Sequence, residues 1–480
     1  MNYKLVLRVT GFALLLEAAC LLLPALVSII YRENPLPFLL TIAILLIVGG
    51  GLSLLLKKAP RTLKSRDGFL TVGLIWALFG VFGALPFRFS GLFGNYVNCL
   101  FECISGFTTT GASILTKIEG LPYGLLFWRS FTNWLGGMGV LVLTAALLPS
   151  LGISSNFLIR AESPGPVKSK LVPRAAQSSK ILYSIYLALT VIEIPILRIA
   201  GIPWFDSVVT AFSTAGTGGF SILNESIGGY HNPAAEIIIT VFLILFSINF
   251  AMYFLLLTRR FKQVLQSDEL RFFLIVTAVS IIAITINIAP SFARTGDALR
   301  AAAFQVASII STAGFSSVDF NLWPEFSKML LVILMLFGAC AGSTGGGMKC
   351  SRILVLLRSA RREIRTIIHP RAVSVVRLDG EPLSEQVVKT TQSYFIVYIF
   401  SIVAGSLIVG MDNFSFETTF TALISCVGNI GPGLGEVGPA GNFSEFSNLS
   451  KLVMSFCMIL GRLEMFPILV LFSRNAWKKH

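Results

Sequence analysis

Four short segments centred on glycine are the parts of this chain whose residue types and spacing suit ion chemistry. Glycine permits backbone angles that turn successive carbonyl oxygens toward one axis. A ring of such oxygens can replace the hydration shell of a cation. Their recurrence at intervals of roughly 100 residues indicates an internal repeat. The segments read TTGAS from Thr109, TGGFS from Thr217, TAGFS from Thr312 and NIGPG from Asn429.

The composition of these segments predicts an ion selectivity filter for a monovalent cation. None of them contains a carboxylate, whereas a ring of carboxylates would suggest a divalent cation. Packing of membrane helices through glycine is the alternative, and it suits one segment better than four. Surplus glycine around Gly216 leaves the register of the second segment open. The predicted filter residues are Thr109, Thr110, Gly111, Thr217, Gly218, Gly219, Thr312, Ala313, Gly314, Asn429, Ile430 and Gly431.

The composition of the whole chain indicates a helical membrane protein that would position these segments. Of its 480 residues, 54% are hydrophobic and 13% are charged, and the mean hydropathy is +0.79. A soluble protein of this size could not cover its surface with so few polar groups, and the long continuous apolar runs exclude a β-barrel. The net charge of +14 lies in the loops between these runs, so it indicates membrane orientation and lipid contact rather than a nucleic-acid partner.

Ten apolar segments are each close to the ~20 residues that a membrane-spanning helix needs. They cover residues 9–30, 37–56, 69–86, 123–149, 180–200, 233–258, 270–290, 325–348, 391–410 and 448–473. Four shorter segments at 95–108, 204–216, 298–311 and 414–428 suit re-entrant half-helices that lead into the glycine segments. We predict an all-α membrane protein with an N-terminal helix pair (1–66) and four fused helix–pore-loop–helix repeats around a central pore. The repeats cover 67–175, 176–265, 266–385 (with a broken helix and a cytoplasmic loop) and 386–480.

The distribution of basic residues sets the predicted orientation. Lysine and arginine cluster after every second crossing and at the C-terminal end, so these loops and both termini are expected in the cytoplasm. The opposite loops are poor in basic residues and carry acidic ones such as Asp206, Asp319 and Glu436. All four repeats then share one orientation, whereas an inverted-repeat transporter needs the opposite parity.

Glycine also interrupts the eighth apolar segment, between Gly338 and Lys349. This stretch loosely matches a phosphate-binding loop, but Met348 stands where the lysine should follow the second glycine. It therefore predicts a helix broken within the membrane, with a plain kink as the alternative. Arg462 lies within the last apolar segment, where a charge usually faces a cavity or a partner such as Glu464.

These motifs resemble the Trk/Ktr/HKT superfamily of potassium transporters, over essentially the whole chain from about residue 69. The resemblance rests on the four glycine segments and on residues 134–139, 338–349 and 460–464, and the additional N-terminal helix pair resembles the Trk branch. It implies potassium uptake across the cytoplasmic membrane, a homodimer and a TrkA-like cytoplasmic ring of nucleotide-binding regulatory subunits. Gly111, rather than serine, implies potassium as the transported ion. The expected potassium ligands are the backbones of Thr110, Gly111, Gly218, Gly219, Ala313, Gly314, Ile430 and Gly431.

The resemblance further implies an intramembrane gate beneath the filter. The expected gate residues are Gly342, Ser343, Thr344, Gly345, Gly346, Gly347 and Arg462. A proton- or sodium-coupled potassium symporter and a sodium-permeable relative remain alternatives. An enzyme is not predicted, because no nucleophilic or metal-ligating constellation converges, and no cofactor is expected.

Other polar residues in the apolar segments suggest structural roles. Glu102 and Glu193 are expected to orient neighbouring groups rather than to bind the ion. Asn133 and Asn249 are expected to form hydrogen bonds between helices. The seven cysteines show no metal-binding pattern and are expected to be buried as small hydrophobic residues.

Overall fold

The computed structural model of the chain describes residues 2–57, 65–137, 139, 175–371 and 374–472. Within these ranges the fold is helical apart from one short two-stranded sheet, which confirms the predicted all-α class. Part of the basic sequence behind the predicted orientation lies outside the described ranges, namely Lys58, Arg61, Lys64, Arg160, Lys168, Lys170, Arg174, Arg474, Lys478 and Lys479.

We describe the helices in chain order, grouped by the predicted N-terminal unit and four further units. The N-terminal unit contains Tyr3–Cys20, Leu22–Ile30 and Leu36–Leu55. The first of the four contains Ser65–Gly83, Leu85–Ser90, Tyr96–Phe107 and Tyr123–Gly137. The second contains Ala175–Ile199, Trp204–Gly216, Pro233–Ser247 and Phe250–Leu257, followed by a connecting helix, Phe261–Leu265.

The third unit carries the strands, and the fourth ends the described chain. The third contains Asp268–Ile288, Thr295–Ile310, Glu325–Leu336 and Cys350–Ile368, then antiparallel strands Arg377–Leu378 and Glu381–Pro382. The fourth contains Glu385–Val409, Phe416–Gly428, Asn448–Arg462 and Phe466–Phe472. Short 3-10 helices cover Ser226–Tyr230, Ala289–Ser291, Phe320–Leu322, Gly410–Asp412 and Gly435–Val437.

The four predicted half-helices are confirmed. We call them pore helices one to four, and they cover Tyr96–Phe107, Trp204–Gly216, Thr295–Ile310 and Phe416–Gly428. Asn95 and Ser415 begin the first and fourth by accepting hydrogen bonds from main-chain N–H groups of the first turn, which satisfies donors that a helix leaves free. Each pore helix ends at its glycine segment, so its partially negative C-terminal end is directed at that segment.

Six described helices, or seven with one bent pair, are long and apolar enough to cross a membrane. Three of the ten predicted spans are described as shorter helices. The predicted span at 123–149 is described as Tyr123–Gly137 and residue 139, because residues 138 and 140–149 lie outside the described ranges. Glu325–Leu336 stops where the predicted break begins, and Asn448–Arg462 ends before a turn in which Glu464 and Met465 have positive φ.

The predicted continuous span at 233–258 is wrong, because the helix bends by 90° between Ser247 and Phe250. Asn249 begins the second half, and its Oδ1 accepts a hydrogen bond of 2.9 Å from the N–H of Ala251. Asn249 therefore caps a helix within its own unit, and its expected hydrogen bond between helices stays a prediction. The sequence at the bend contains neither proline nor glycine, so the usual signal for a break is missing.

Candidate selectivity filter and gate

The four glycine segments share one backbone conformation, in which the sign of φ alternates. The first residue of each segment has a positive φ of 50–61°, at Thr109, Thr217, Thr312 and Asn429. The third residue is a glycine with φ between 71° and 107°, at Gly111, Gly219, Gly314 and Gly431. The middle residue is not among those with positive φ. Such alternation turns consecutive carbonyl groups toward the same side of the chain, which is the arrangement that a carbonyl-lined pore requires.

This shared conformation fixes the register of the second segment, which the sequence left open. Thr217 and Gly219 take the positive φ values, so Gly218 corresponds to the middle residues of the other segments. Asn133 packs against Gly218, because a Cβ on that glycine would lie 2.3 Å from the Asn133 side chain. Asn133 also donates a hydrogen bond of 3.4 Å to Ser213, which confirms its predicted role between helices.

The four segments contact one another in a closed ring. A Cβ on Gly111 would lie 2.1 Å from the Gly218 carbonyl oxygen, and one on Gly219 would lie 1.9 Å from that of Ala313. The ring continues in the same direction, with a Cβ on Gly314 at 1.9 Å from the Ile430 oxygen and one on Gly431 at 2.7 Å from the Thr110 oxygen. Each glycine therefore lies against the middle carbonyl of the next segment, and any side chain there would collide with that oxygen.

One cavity joins the four glycines. It has a volume of about 110 Å³, and Gly111, Gly219, Gly314 and Gly431 all line it. Arg129 is the charged side chain among its described lining residues. The four filter glycines thus face one shared cavity.

A serine in each pore helix supports its segment, and this signal was missed in the sequence. The main-chain oxygens of these serines accept hydrogen bonds of 2.8–3.0 Å from the N–H groups of the middle filter residues. Each serine lies at the same distance in sequence from its filter glycine, so the spacing was available as a repeat signature. The four pairs are Ser105 with Thr110, Ser213 with Gly218, Ser308 with Ala313, and Ser425 with Ile430.

Arg129 is a second feature that sequence reasoning missed. Its guanidinium forms a 2.8 Å ion pair with Glu102, and both side chains are at most 1% exposed. Arg129 also donates to the Ser221 main-chain oxygen at 2.9 Å and lies over the Phe220 ring at 4.3 Å. Glu102 in turn accepts a bond of 2.9 Å from the Ser113 hydroxyl. The pair connects the end of filter segment one to the end of filter segment two.

The expected orienting role of Glu102 agrees with these contacts, and an arginine facing an acidic residue within one repeat was the available signal. Glu193 is fully buried in Ala175–Ile199, and its orienting role stays a prediction. Six of the seven cysteines are buried, Cys20 is partly buried, and all are free thiols, as expected.

Residues 337–349 form a non-helical segment, which confirms the predicted break; we call it the gate loop. It lies directly against filter segments three and four. The N–H of Gly346 donates a hydrogen bond of 2.6 Å to the Thr312 hydroxyl. A Cβ on Gly345 would lie 2.8 Å from the Ser311 oxygen, and one on Gly346 would lie 2.9 Å from the Gly428 oxygen. The gate loop is thus packed against the ends of two pore helices.

The gate loop and the bent helix pair satisfy each other's main-chain groups. Cys340 donates to the Ser247 oxygen at 3.0 Å, and Phe250 donates to the Gly342 oxygen at 3.0 Å. The Thr344 hydroxyl adds a bond of 3.1 Å to the Phe246 oxygen. Unpaired main-chain groups at membrane depth cost several kcal/mol each, so the two breaks stabilise one another.

Arg462 connects the gate loop to the end of the helix Tyr123–Gly137. Its guanidinium donates to the Thr344 oxygen at 2.9 Å and to the Gly137 oxygen at 2.7 Å, and it also bonds the Gly136 oxygen. Glu464, the alternative partner, instead pairs with Arg352. Arg462 therefore combines a positive charge with one hydrogen bond to the gate loop.

The family of the chain follows from comparison with known proteins. A family model described as "TrkH: Cation transport protein" matches residues 36–479. The chain belongs to the TrkH family. Over the full length of both chains it is 38% identical to the Trk system potassium uptake protein TrkH of Salmonella typhimurium and 37% identical to that of Escherichia coli K12.

A solved structure of a TrkH protein supports the same assignment. The crystal structure of the potassium transporter TrkH from Vibrio parahaemolyticus matches with a TM-score of 0.88 and 34% identity, covering both chains completely. TrkH-family membership makes this chain a membrane cation transport protein. Among the described residues, no group of three or more His, Cys, Asp and Glu side chains could hold a metal ion.

Proposed function

We propose that the chain takes up potassium through a filter of backbone carbonyl oxygens. The observation that carries this proposal is the closed ring in which each filter glycine lies against the middle carbonyl of the next segment. Potassium is the transported substrate, and it exchanges its water shell for these oxygens. The ligating backbones are those of Thr110, Gly111, Gly218, Gly219, Ala313, Gly314, Ile430 and Gly431.

The gate loop and Arg462 regulate this passage in our proposal. The loop residues Gly342, Ser343, Thr344, Gly345, Gly346 and Gly347 fill the space beneath the filter. The support is their contact with the inner ends of filter segments three and four. The positive charge of Arg462 opposes an entering cation, and its hydrogen bond to Thr344 holds the loop in the path.

We further propose that the four units form equivalent repeats with the boundaries predicted above, 67–175, 176–265, 266–385 and 386–480, after a helix pair at 1–66. The protein lies in the cytoplasmic membrane with both termini in the cytoplasm, acts as a homodimer, and catalyses no chemical reaction. A TrkA-like ring of nucleotide-binding subunits docks on its cytoplasmic face. A basic concavity of about 610 Å³ supports the docking site, and its lining includes Arg358, Arg361, Arg362, Arg365 and Arg377.

Growth of a potassium-uptake-deficient bacterial strain tests this function. Expression of the chain is expected to restore growth at low potassium, and Gly219→Ala is expected to abolish the rescue while leaving membrane insertion intact. Repeating the growth assay at several pH and sodium values separates a filter pore from coupled symport. Rescue that requires added sodium or an inward proton gradient would contradict the uncoupled pore.

A further inference from the structure

Glu269 contacts the main chain on both sides of the gate residues 342–347. It lies in the first turn of Asp268–Ile288 and is 8% exposed. Its Oε1 accepts a hydrogen bond of 2.7 Å from the N–H of Ala341 and another of 2.9 Å from the N–H of Ser351. The gate residues 342–347 lie between these two donors. A single carboxylate oxygen therefore links the main chain before and after them.

The helix that follows the gate loop has no cap of its own. Cys350–Ile368 begins after Lys349, whose side chain forms no capping hydrogen bond. The N–H of Ser351 belongs to the first turn, where helix N–H groups lack partners within the helix. Glu269 supplies that partner from another helix, and its negative charge suits the positive end of the helix dipole. The same carboxylate therefore fixes both the loop and the start of the next helix.

We propose that Glu269 is the positioning residue that holds the gate loop closed. This inference rests on the proposed gate. A displacement that moves Ala341 or the start of Cys350–Ile368 must break at least one of the two bonds. Bonds to a charged acceptor are roughly twice as strong as bonds between neutral groups, so the carboxylate is suited to hold a loop that glycine leaves weakly structured. Opening is then a competition between this anchor and whatever pulls on Cys350–Ile368.

The native cysteines provide a measure of loop position that is independent of transport. Cys340 is buried within the gate loop, whereas Cys426 is buried in pore helix four. We compare N-ethylmaleimide labelling of both thiols by mass spectrometry in the full-length protein. Glu269→Ala is expected to raise the labelling rate of Cys340 by at least about tenfold, which corresponds to ~1.4 kcal/mol, with Cys426 unchanged. Rubidium uptake into proteoliposomes without a regulatory partner is expected to rise in parallel.

Two further variants keep the test decisive. Glu269→Gln retains an acceptor oxygen without the charge, so it is expected to raise Cys340 labelling by a few-fold; it decides the outcome where the alanine variant does not fold. Asp268→Asn is the matched control, because the Asp268 carboxylate bonds Arg358 and Asp379 rather than the loop. Cys340 labelling that stays at the wild-type rate in the Glu269 variants overturns the anchor. Raised labelling with unchanged rubidium uptake supports the anchor and instead removes the loop as the gate.

Discussion

Arg462 donates a hydrogen bond of 2.9 Å to the main-chain oxygen of Thr344. The residues are far apart in sequence, yet this bond connects the end of Asn448–Arg462 to the middle of the gate loop. In the proposed gate, Arg462 restricts potassium in two ways, by its charge and by this bond. Substitutions that separate charge from bond geometry therefore test how the gate works.

Arg462→Ala is expected to raise potassium flux without the regulatory partner by several-fold, because it removes both the charge and the bond. Arg462→Lys retains the charge but not the planar set of donors that reaches several carbonyls, and we expect its flux to stay within about twofold of wild type. Rubidium uptake into proteoliposomes measures both. A lysine variant that conducts as fast as the alanine variant would show that the bond, and not the charge, restricts the ion.

Gly111→Ser is expected to weaken discrimination between potassium and sodium without preventing folding. The added Cβ would lie 2.1 Å from the Gly218 oxygen, so that carbonyl must move while the rest of the ring keeps its contacts. Competition between rubidium and sodium in liposomes measures the change. Gly51→Ser is the matched control, because nothing lies within 4 Å of a Cβ there. Normal selectivity and flux in the Gly111 variant would remove that glycine from the filter.

Replacing Gly345, Gly346 and Gly347 together with alanine is expected to give faster, less regulated potassium flux. Alanine favours helix over glycine by up to ~1 kcal/mol per residue. In the closed loop, a Cβ on Gly345 would lie 2.5 Å from the Ala339 Cβ, so the loop must leave its position. Rubidium uptake without the partner is the measurement, and Gly50→Ala with Gly51→Ala is the control. If the triple variant inserts normally and conducts no faster, the gate lies elsewhere.

Breaking the buried pair of Arg129 and Glu102 is expected to destabilise the filter region. Removing one partner of a buried ion pair typically costs ~3–5 kcal/mol, because the other charge is left unpaired. Glu102→Gln and Arg129→Gln should each lower thermal stability in detergent and reduce rubidium selectivity over sodium. The double variant should lose less than the sum of the two single losses. Additive losses would show that the two side chains act independently.

Neutralising Arg361 and Arg365 is expected to weaken binding of the regulatory ring. Both side chains are exposed on Cys350–Ile368, the helix that continues from the gate loop. Co-purification with a co-expressed nucleotide-binding subunit measures docking, and Arg294→Gln, in a loop expected on the outer side, is the control. Retention in the membrane or contact with anionic lipid is the alternative role of these arginines. Undiminished co-purification and normally regulated flux would favour that alternative.

The sequence predicted the pore helices and the gate break because composition determines both. A run too short to span a membrane and ending in glycine has few alternatives at membrane depth, and Gly345, Gly346 and Gly347 disfavour helix directly. The bend at Asn249 could not be predicted, because the groups that pair its main chain belong to the gate loop, far along the chain. The sequence around the bend does not indicate a hydrogen-bonding partner that lies so far along the chain.

The register of the second filter segment illustrates the same limit. Thr217 and Gly219 are distinguished from Gly218 by backbone angles, which adjacent glycines do not reveal. The serine in each pore helix was visible in the sequence as one of several polar residues there. Its role could not be recognised, because it is the main-chain oxygen of the serine that accepts the hydrogen bond from the filter. To predict the pairing of Arg129 with Glu102 from the sequence, one would have to know that their two helices lie side by side.

The mutual pairing of the bent helix and the gate loop also constrains the order of assembly. Residues 246–250 leave the ribosome well before residues 340–344, which supply their hydrogen-bonding partners. Until then, a bend at Asn249 would expose main-chain N–H and C=O groups without hydrogen-bonding partners to lipid. The segment 233–257 is therefore expected to enter the membrane as an unbroken helix. It then kinks only after the third unit has been synthesised and inserted beside it.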